Sequence, residues 1–356
     1  MSASHAPHPR PSSAPDRVST AAPPTGGRLA VVGAGAVGSS VAYAAMLRGS
    51  ARSIALYDIR AEKVRAEVLD LAHGSPLAGG AEITGGDDVA CVAGADVVVI
   101  TAGAAQAPGQ TRLDLAGTNV KILESLMPQL LAQAPDAVFI LVTNPCDVLT
   151  VAADALAALP RGRVFASGTV LDTSRLRWRL AERLGIAPRS IHATIIGEHG
   201  DSEFPLWSSA HIGQVPLQDW TDGAGAADAA GAAEAAGAAG AADSPALSRE
   251  ELDRLGHEVA GAAYEVIQGK GATNLAIGVA AARIVEAVLR DERAVLPVSS
   301  PLTGYQGISG VAMSVPSIVG RAGVERTLEV PMDEDERARL LASADALREV
   351  QRSLGL

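Results

Sequence analysis

The chain has 356 residues, 48% hydrophobic and 19% charged, which is enough to bury the core of one or two domains. Its formal net charge of −11, without any basic run, gives no footing for nucleic acid or an anionic membrane surface. Two cysteines, Cys91 and Cys146, lie far apart in apolar settings, which argues against a disulfide framework or a CxxC site and fits a reducing cytoplasm. No apolar run is long enough for a transmembrane helix. Residues 1–27 hold six prolines and no apolar h-region, so they read as a disordered tail and not as a signal peptide. A transit peptide is disfavoured because those prolines would break an amphipathic helix.

Arg28-Leu29-Ala30-Val31-Val32 is a short apolar strand that runs into Gly33-Ala34-Gly35-Ala36-Val37-Gly38 and then a small-residue helix from Ser39 to Leu47. The G-x-G-x-x-G pattern is thus in the context its physics requires. The first glycine makes the turn, the second admits a pyrophosphate to backbone N–H groups, and the third lets helix pack on strand. The next strand, Ile54 to Asp58, ends in an acid twenty residues after Gly38. A carboxylate there binds both ribose hydroxyls of NAD and repels a 2′-phosphate. A glycine-rich turn without function is the weaker alternative for the pair of features.

Strand and helix go on alternating: a helix from Ala61 to Ala72, a strand Asp96–Ile100, a helix from Leu115 to Leu131 and a strand Val138–Val142. Fully apolar strands of this kind belong to a buried parallel sheet. Ile122, Leu123, Leu126, Met127 and Leu130 recur at helical spacing and predict core. The sum is a doubly wound α/β sheet, whose ligands lie beyond the C-terminal strand ends.

Polar groups stand at those ends. After Ile100, a long small-residue loop carries Gln106 and Arg112, either as a mobile lid or as an ordinary surface loop. After Val142 comes Thr143-Asn144-Pro145, where Asn144 is placed to bond cofactor or substrate, or simply to make a turn. The strand Val164–Ser167 leads to a helix with Asp172 and Arg175 three apart on one face. Arg177 is two beyond Arg175, about 200° round the helix. Ile195-Ile196-Gly197-Glu198-His199-Gly200-Asp201 reads as a strand ending in a tight loop with one imidazole at its tip. Histidine gives and takes a proton near neutral pH, although a loop histidine that only caps a turn looks the same locally.

GAGAVGSS, TAGAAQAPGQTRLDL, VTNPCDVLT, SGTVLDTSRLR, IIGEHGDSEFPLWS and KGATNLAIG resemble, in order, the signature segments of bacterial L-lactate dehydrogenases. The resemblance runs from about Arg28 to the C-terminus. It implies a Rossmann-type NAD-binding domain over 28–167 and an α+β catalytic domain over 168–356. It also implies that His199 is the proton donor and acceptor, that Asp172 orients it, and that Arg175 grips the substrate carboxylate. Arg112 would polarise the reacting carbonyl, and Gln106, Asn144 and Thr273 would line the substrate pocket. For NAD the resemblance implies Gly33, Gly35, Val37, Gly38, Asp58, Lys63, Gly103, Ala104, Ser125, Thr143, Asn144 and Ser167. It further implies a homotetramer, and Arg177 with His192 as a fructose 1,6-bisphosphate site between subunits.

Malate dehydrogenases of the superfamily usually carry Arg at the position of Gln106. A neutral amide leaves a second substrate carboxylate unpaired in a closing site, so pyruvate and L-lactate are favoured over oxaloacetate and malate. A malate dehydrogenase and a catalytically silent NAD-binding sensor are the rival readings. The chain departs from many relatives at Ala107 and Gln110, and in the Ala/Gly-rich insert 222–243, which is expected to be a solvated loop. A long helix from Ser248, a helix Ala276–Leu289, antiparallel strands between Val295 and Val330 and an amphipathic terminal helix complete the chain. No H-E-x-x-H or Cys/His cluster suggests metal.

Overall fold

The structure is a computed structural model that describes residues 26–104, 112–221 and 247–356. The expected tail through residue 25, Gln106 and the insert 222–243 lie outside the described residues, as does the side chain of Arg112.

The N-terminal half builds a parallel sheet. Its strands are β1 (Arg28–Val32), β2 (Ser53–Tyr57), β3 (Glu82–Gly86), β4 (Val97–Ile100), β5 (Val138–Leu141) and β6 (Val164–Ala166). They lie in the order β6-β5-β4-β1-β2-β3. Helices α1 (Ala36–Arg48), α2 (Ala61–Gly74), α3 (Arg112–Gln133) and α4 (Cys146–Ala157) make the crossovers. β4 and β5 are buried along their whole length because helices cover both faces, which is why they read as unbroken apolar runs. The order reverses between β1 and β4, and such a switch point opens a crevice at the C-terminal strand ends. The sequence pattern did not reveal β3, whose Glu-Ile-Thr-Gly-Gly lies at the half-exposed sheet edge, nor α4, which starts directly after Pro145.

In the C-terminal half, α5 (Val170–Leu184) buries Leu176 and Leu180 together with Asp172. Five two-residue strands follow: β7 (Ile191–His192), β8 (Ile195–Ile196), β9 (Phe204–Pro205), β10 (His211–Ile212) and β11 (Val215–Pro216). The stretch from Ile191 to Ile196 forms two strands, because β7 pairs with β10 while β8 pairs with β9. Helix α6 (Arg249–Lys270) is opened by a capping box of Ser248 and Glu251, and α7 (Leu275–Leu289) follows. Then come β12 (Ala294–Leu296), β13 (Ser299–Tyr305), β14 (Ile308–Ser314), β15 (Ser317–Gly320), β16 (Gly323–Thr327) and the terminal helix α8 (Glu334–Leu354).

Two contacts fasten this half to the first sheet. β13 adds antiparallel to β6 through Ser299 and Ala166, and β14 extends the sheet to eight strands. α7 lies so close on α1 that a Cβ at Gly278 would sit 2.7 Å from backbone atoms of Ser40. The Arg48–Glu286 ion pair at 2.6 Å closes the same seam. Among the described residues no helix is long and apolar enough to cross a membrane.

Candidate active site

The crevice at the switch point is a cleft of about 840 Å³, lined among others by Gly33, Gly35, Asp58, Arg60, Ala104 and Ser125. Its glycines each have a separate reason. Gly33 holds φ at +102°, a conformation L side chains rarely adopt. A Cβ at Gly38 would collide with the Gly33 carbonyl oxygen at 1.8 Å, so the helix can pack only without one. At Gly35 a Cβ would meet nothing within 4 Å, so the space before the α1 N-terminus is open to an anion. Asp58 is buried, accepts from the N–H of Ala34 at 2.8 Å and from the N–H of Arg60 at 3.0 Å, and contacts Arg60 Nε at 3.3 Å. Burial alone would raise its pKa, but these bonds and the guanidinium hold the carboxyl below its ordinary value, so it stands ionised in the cleft just beyond β2. These residues fit NAD.

A second cavity, of about 300 Å³, holds Asn144, Asp172, Arg175 and His199, together with Asp147 and Glu203. Asp172 is the hub. Its Oδ1 accepts from Arg175 Nη1 at 2.5 Å, and its Oδ2 lies 2.9 Å from His199 Nδ1. That second contact is short but lies off the direction of the ring N–H, leaving both atoms without a straight hydrogen bond. Glu203 Oε2 stands 3.5 Å from the same nitrogen. Burial would lower the His199 pKa, but the two carboxylates overcome it and hold the imidazole well above its ordinary value. Burial likewise pushes Asp172 up, and His199 and Arg175 together outweigh it and bring the carboxyl below its usual range. Asp172, His199 and Glu203 have the donor types of a metal site, with ligand atoms within 4.8 Å of one another. Arg175 on Asp172 opposes a divalent cation there, so the chemistry of the cluster is that of a charge-stabilised imidazole.

The lactate/malate dehydrogenase NAD binding domain matches residues 27–166, and the alpha/beta C-terminal domain of the same family matches 169–235 and 229–353. The chain belongs to the lactate/malate dehydrogenase family. It is 47% identical to the L-lactate dehydrogenase of Bifidobacterium animalis subsp. lactis, over 92% of this chain and 97% of that one. It is 44% identical to the L-lactate dehydrogenase of a Synechococcus species, over 90% and 97%. The crystal structure of the minor L-lactate dehydrogenase from Enterococcus mundtii superposes with a TM-score of 0.82 at 35% identity, covering 92% and 98%. As a member of this family the chain is an NAD-dependent oxidoreductase.

Within the family frame, other residues named from the sequence fall in less direct places. Lys63 pairs with Glu67 at 3.0 Å on α2, and Val37 and Ser167 lie close to the cleft's elements without lining it. Thr143 donates to the Ala102 carbonyl at 2.9 Å and packs against Gly103, supporting the cleft wall from behind. Thr273 sits between α6 and α7 and is not among the residues lining the second cavity. Arg112 begins α3. Arg177 Nε donates to the carbonyl of Ala193 at 2.9 Å, the residue after exposed His192. Burial lowers the Arg177 pKa.

Three functional residues escaped the sequence reading. Buried Asn119 accepts from the Ala104 N–H at 2.8 Å and donates to the Asn144 carbonyl at 2.8 Å, so one amide ties the loop after β4 to the strand end after β5. Asp147 accepts the His199 backbone N–H, and Glu203 faces the imidazole. A polar residue inside the apolar stripe of α3 was the available signal for Asn119. The other two carried none beyond lying in polar segments.

Proposed function

We propose that the enzyme is an L-lactate dehydrogenase, interconverting pyruvate and NADH with L-lactate and NAD, and that His199 is its proton donor and acceptor. The observation that carries this reading is the convergence of His199, Asp172 and Arg175 in one cavity at the strand ends. In the reducing direction the substrate carboxylate lies against Arg175. With Nη1 engaged by Asp172, the remaining guanidinium N–H groups are left for a fork. His199, anchored on its Nδ1 side by two carboxylates, offers Nε2 to the carbonyl oxygen and delivers the proton as that oxygen becomes a hydroxyl. Arg112 polarises the same carbonyl. Gly33, Gly35, Gly38 and Asp58 would hold NAD, whose nicotinamide would supply the hydride for C2 when bound, or accept it in the reverse direction. Gln106 leaves a second carboxylate unpaired, which favours pyruvate over oxaloacetate. NADH oxidation with the two substrates side by side tests this, and a higher kcat/KM for oxaloacetate would make the enzyme a malate dehydrogenase.

The reading extends to a cytoplasmic homotetramer that binds fructose 1,6-bisphosphate between subunits through Arg177 and His192. The bond from Arg177 Nε to the carbonyl of Ala193, the residue directly after His192, supports it. A guanidinium and an imidazole are suited to a phosphate, and anion binding would favour the arrangement in which Arg175, on the same helix, is correctly aimed.

A further inference from the structure

Glu203 is an anomaly in this cavity. It is a carboxylate with only 8% of its surface exposed, yet among the described residues no backbone N–H and no arginine donates to it. Its near partner is His199. The loop between β8 and β9 brings them together: Ile196 pairs with Phe204, so the chain folds back on itself and Glu203 ends opposite His199. Asp172 reaches the same ring nitrogen from α5. Two carboxylates therefore flank one imidazole, while Asp172 is already neutralised by Arg175 on its other oxygen.

We propose that Glu203 is a positioning residue for the reaction, a second carboxylate on the Nδ1 side of His199 that stabilises the imidazolium form when ionised. This rests on the reading of His199 as the proton donor. Each turnover changes the charge of His199. With the imidazole protonated, ionised Glu203 has a cation to face. With the imidazole neutral, it faces the Asp172–Arg175 pair without a cation of its own, and it takes up a proton more readily. Burial pushes the Glu203 carboxyl up to about 7, and Asp172 adds to that, which places its titration in the operating range.

Other charges around Glu203 do not replace this partner. From α5 come Asp172 and Arg175, already joined to one another. Its own loop contributes Asp201. A cavity on its far side, of about 460 Å³, brings Arg249, Asp253 and His257 from α6 and Asp335 and Arg339 from α8. There Arg249 is shared between Asp253 at 3.5 Å and Asp335 at 3.7 Å, and Arg339 lies over the Phe204 ring.

The test is Glu203→Gln, which removes the charge and keeps the shape. Without the anion the imidazolium is less favoured, so His199 should lose its proton at lower pH by about one unit. The pH midpoint of pyruvate reduction should move down by that amount, and the acid limb of lactate oxidation should move the same way. Histidine-selective NMR should show the same displacement for the His199 ring in the NAD-bound enzyme, without any need for substrate. Glu203→Asp, which withdraws the carboxylate but keeps the charge, should move the midpoint in the same direction by less. A merely structural role would scale the rates at every pH and leave the midpoint in place. A midpoint equal to that of the parent in the NMR titration would overturn the proposal. A shifted ring titration in an enzyme inactive toward pyruvate would uphold the pairing and overturn the substrate reading instead.

Discussion

The backbone N–H of His199 donates to Asp147 Oδ2 at 2.7 Å, across 52 residues of sequence. Asp147 lies in the first turn of α4, 2% exposed, directly after the strand end that carries Asn144. The bond pins the loop that bears the imidazole to the helix that follows the central sheet, so the two halves of the site share one rigid point.

Asp147→Ala should therefore lower kcat at least tenfold by freeing the His199 loop, and leave NADH binding nearly unchanged. Asp147→Asn keeps an acceptor and should recover most of the rate. Burial raises the Asp147 pKa from 3.8 to about 6. The native state thus holds this proton more tightly than the unfolded chain does. Its contribution favours the fold below about pH 4 and is lost as pH rises through about 6. Asp147→Asn should gain Tm relative to the parent as pH goes from 4 to 7. A parallel Tm profile for both proteins would show that Asp147 is not the group responsible.

For His199, the two carboxylates set the sign of the pH dependence. The folded pKa is raised, so the imidazolium persists through neutral pH. Pyruvate reduction, which needs the proton, should hold across neutral pH and fall only in the alkaline range. Lactate oxidation, which needs the neutral ring, should rise over that same range. His199→Asn should keep NADH affinity and lose turnover by roughly a thousandfold or more, the scale of acid–base catalysis. Steady-state rates from pH 5 to 10 and NADH fluorescence titration check both statements.

Specificity should respond to one side chain. Gln106→Arg supplies a partner for a second carboxylate and should move the ratio of kcat/KM for oxaloacetate over pyruvate upward by at least tenfold. An unmoved ratio would place the discrimination elsewhere in the pocket.

The effector reading is tested by pyruvate saturation with and without fructose 1,6-bisphosphate near pH 6 and pH 7.5. The bisphosphate should lower the apparent KM, more strongly at the lower pH, and Arg177→Gln should abolish the response. Indifference of the parent at both pH values would remove the site and leave the catalytic assignment untouched.

Most of the nucleotide half of the molecule, though not β3 or α4, was legible along the chain. The glycines at 33, 35 and 38 and the acid at Asp58 act through local backbone geometry and a fixed spacing, and both survive as a linear pattern. The apolar strands β1, β4 and β5 were legible because burial on both faces leaves no polar residue to interrupt them. The resemblance supplied the roles of His199, Asp172 and Arg175, but not what surrounds them. Tertiary structure alone decided that Asp147 holds the His199 loop, that Asn119 bridges the two strand ends, and that Glu203 is buried against the imidazole. Helical and strand periodicity say which face a residue occupies, not which distant segment packs on that face. The partner of a carboxylate, and with it the carboxylate's charge, is set by pairings such as β8 with β9 that have no local signal in the chain.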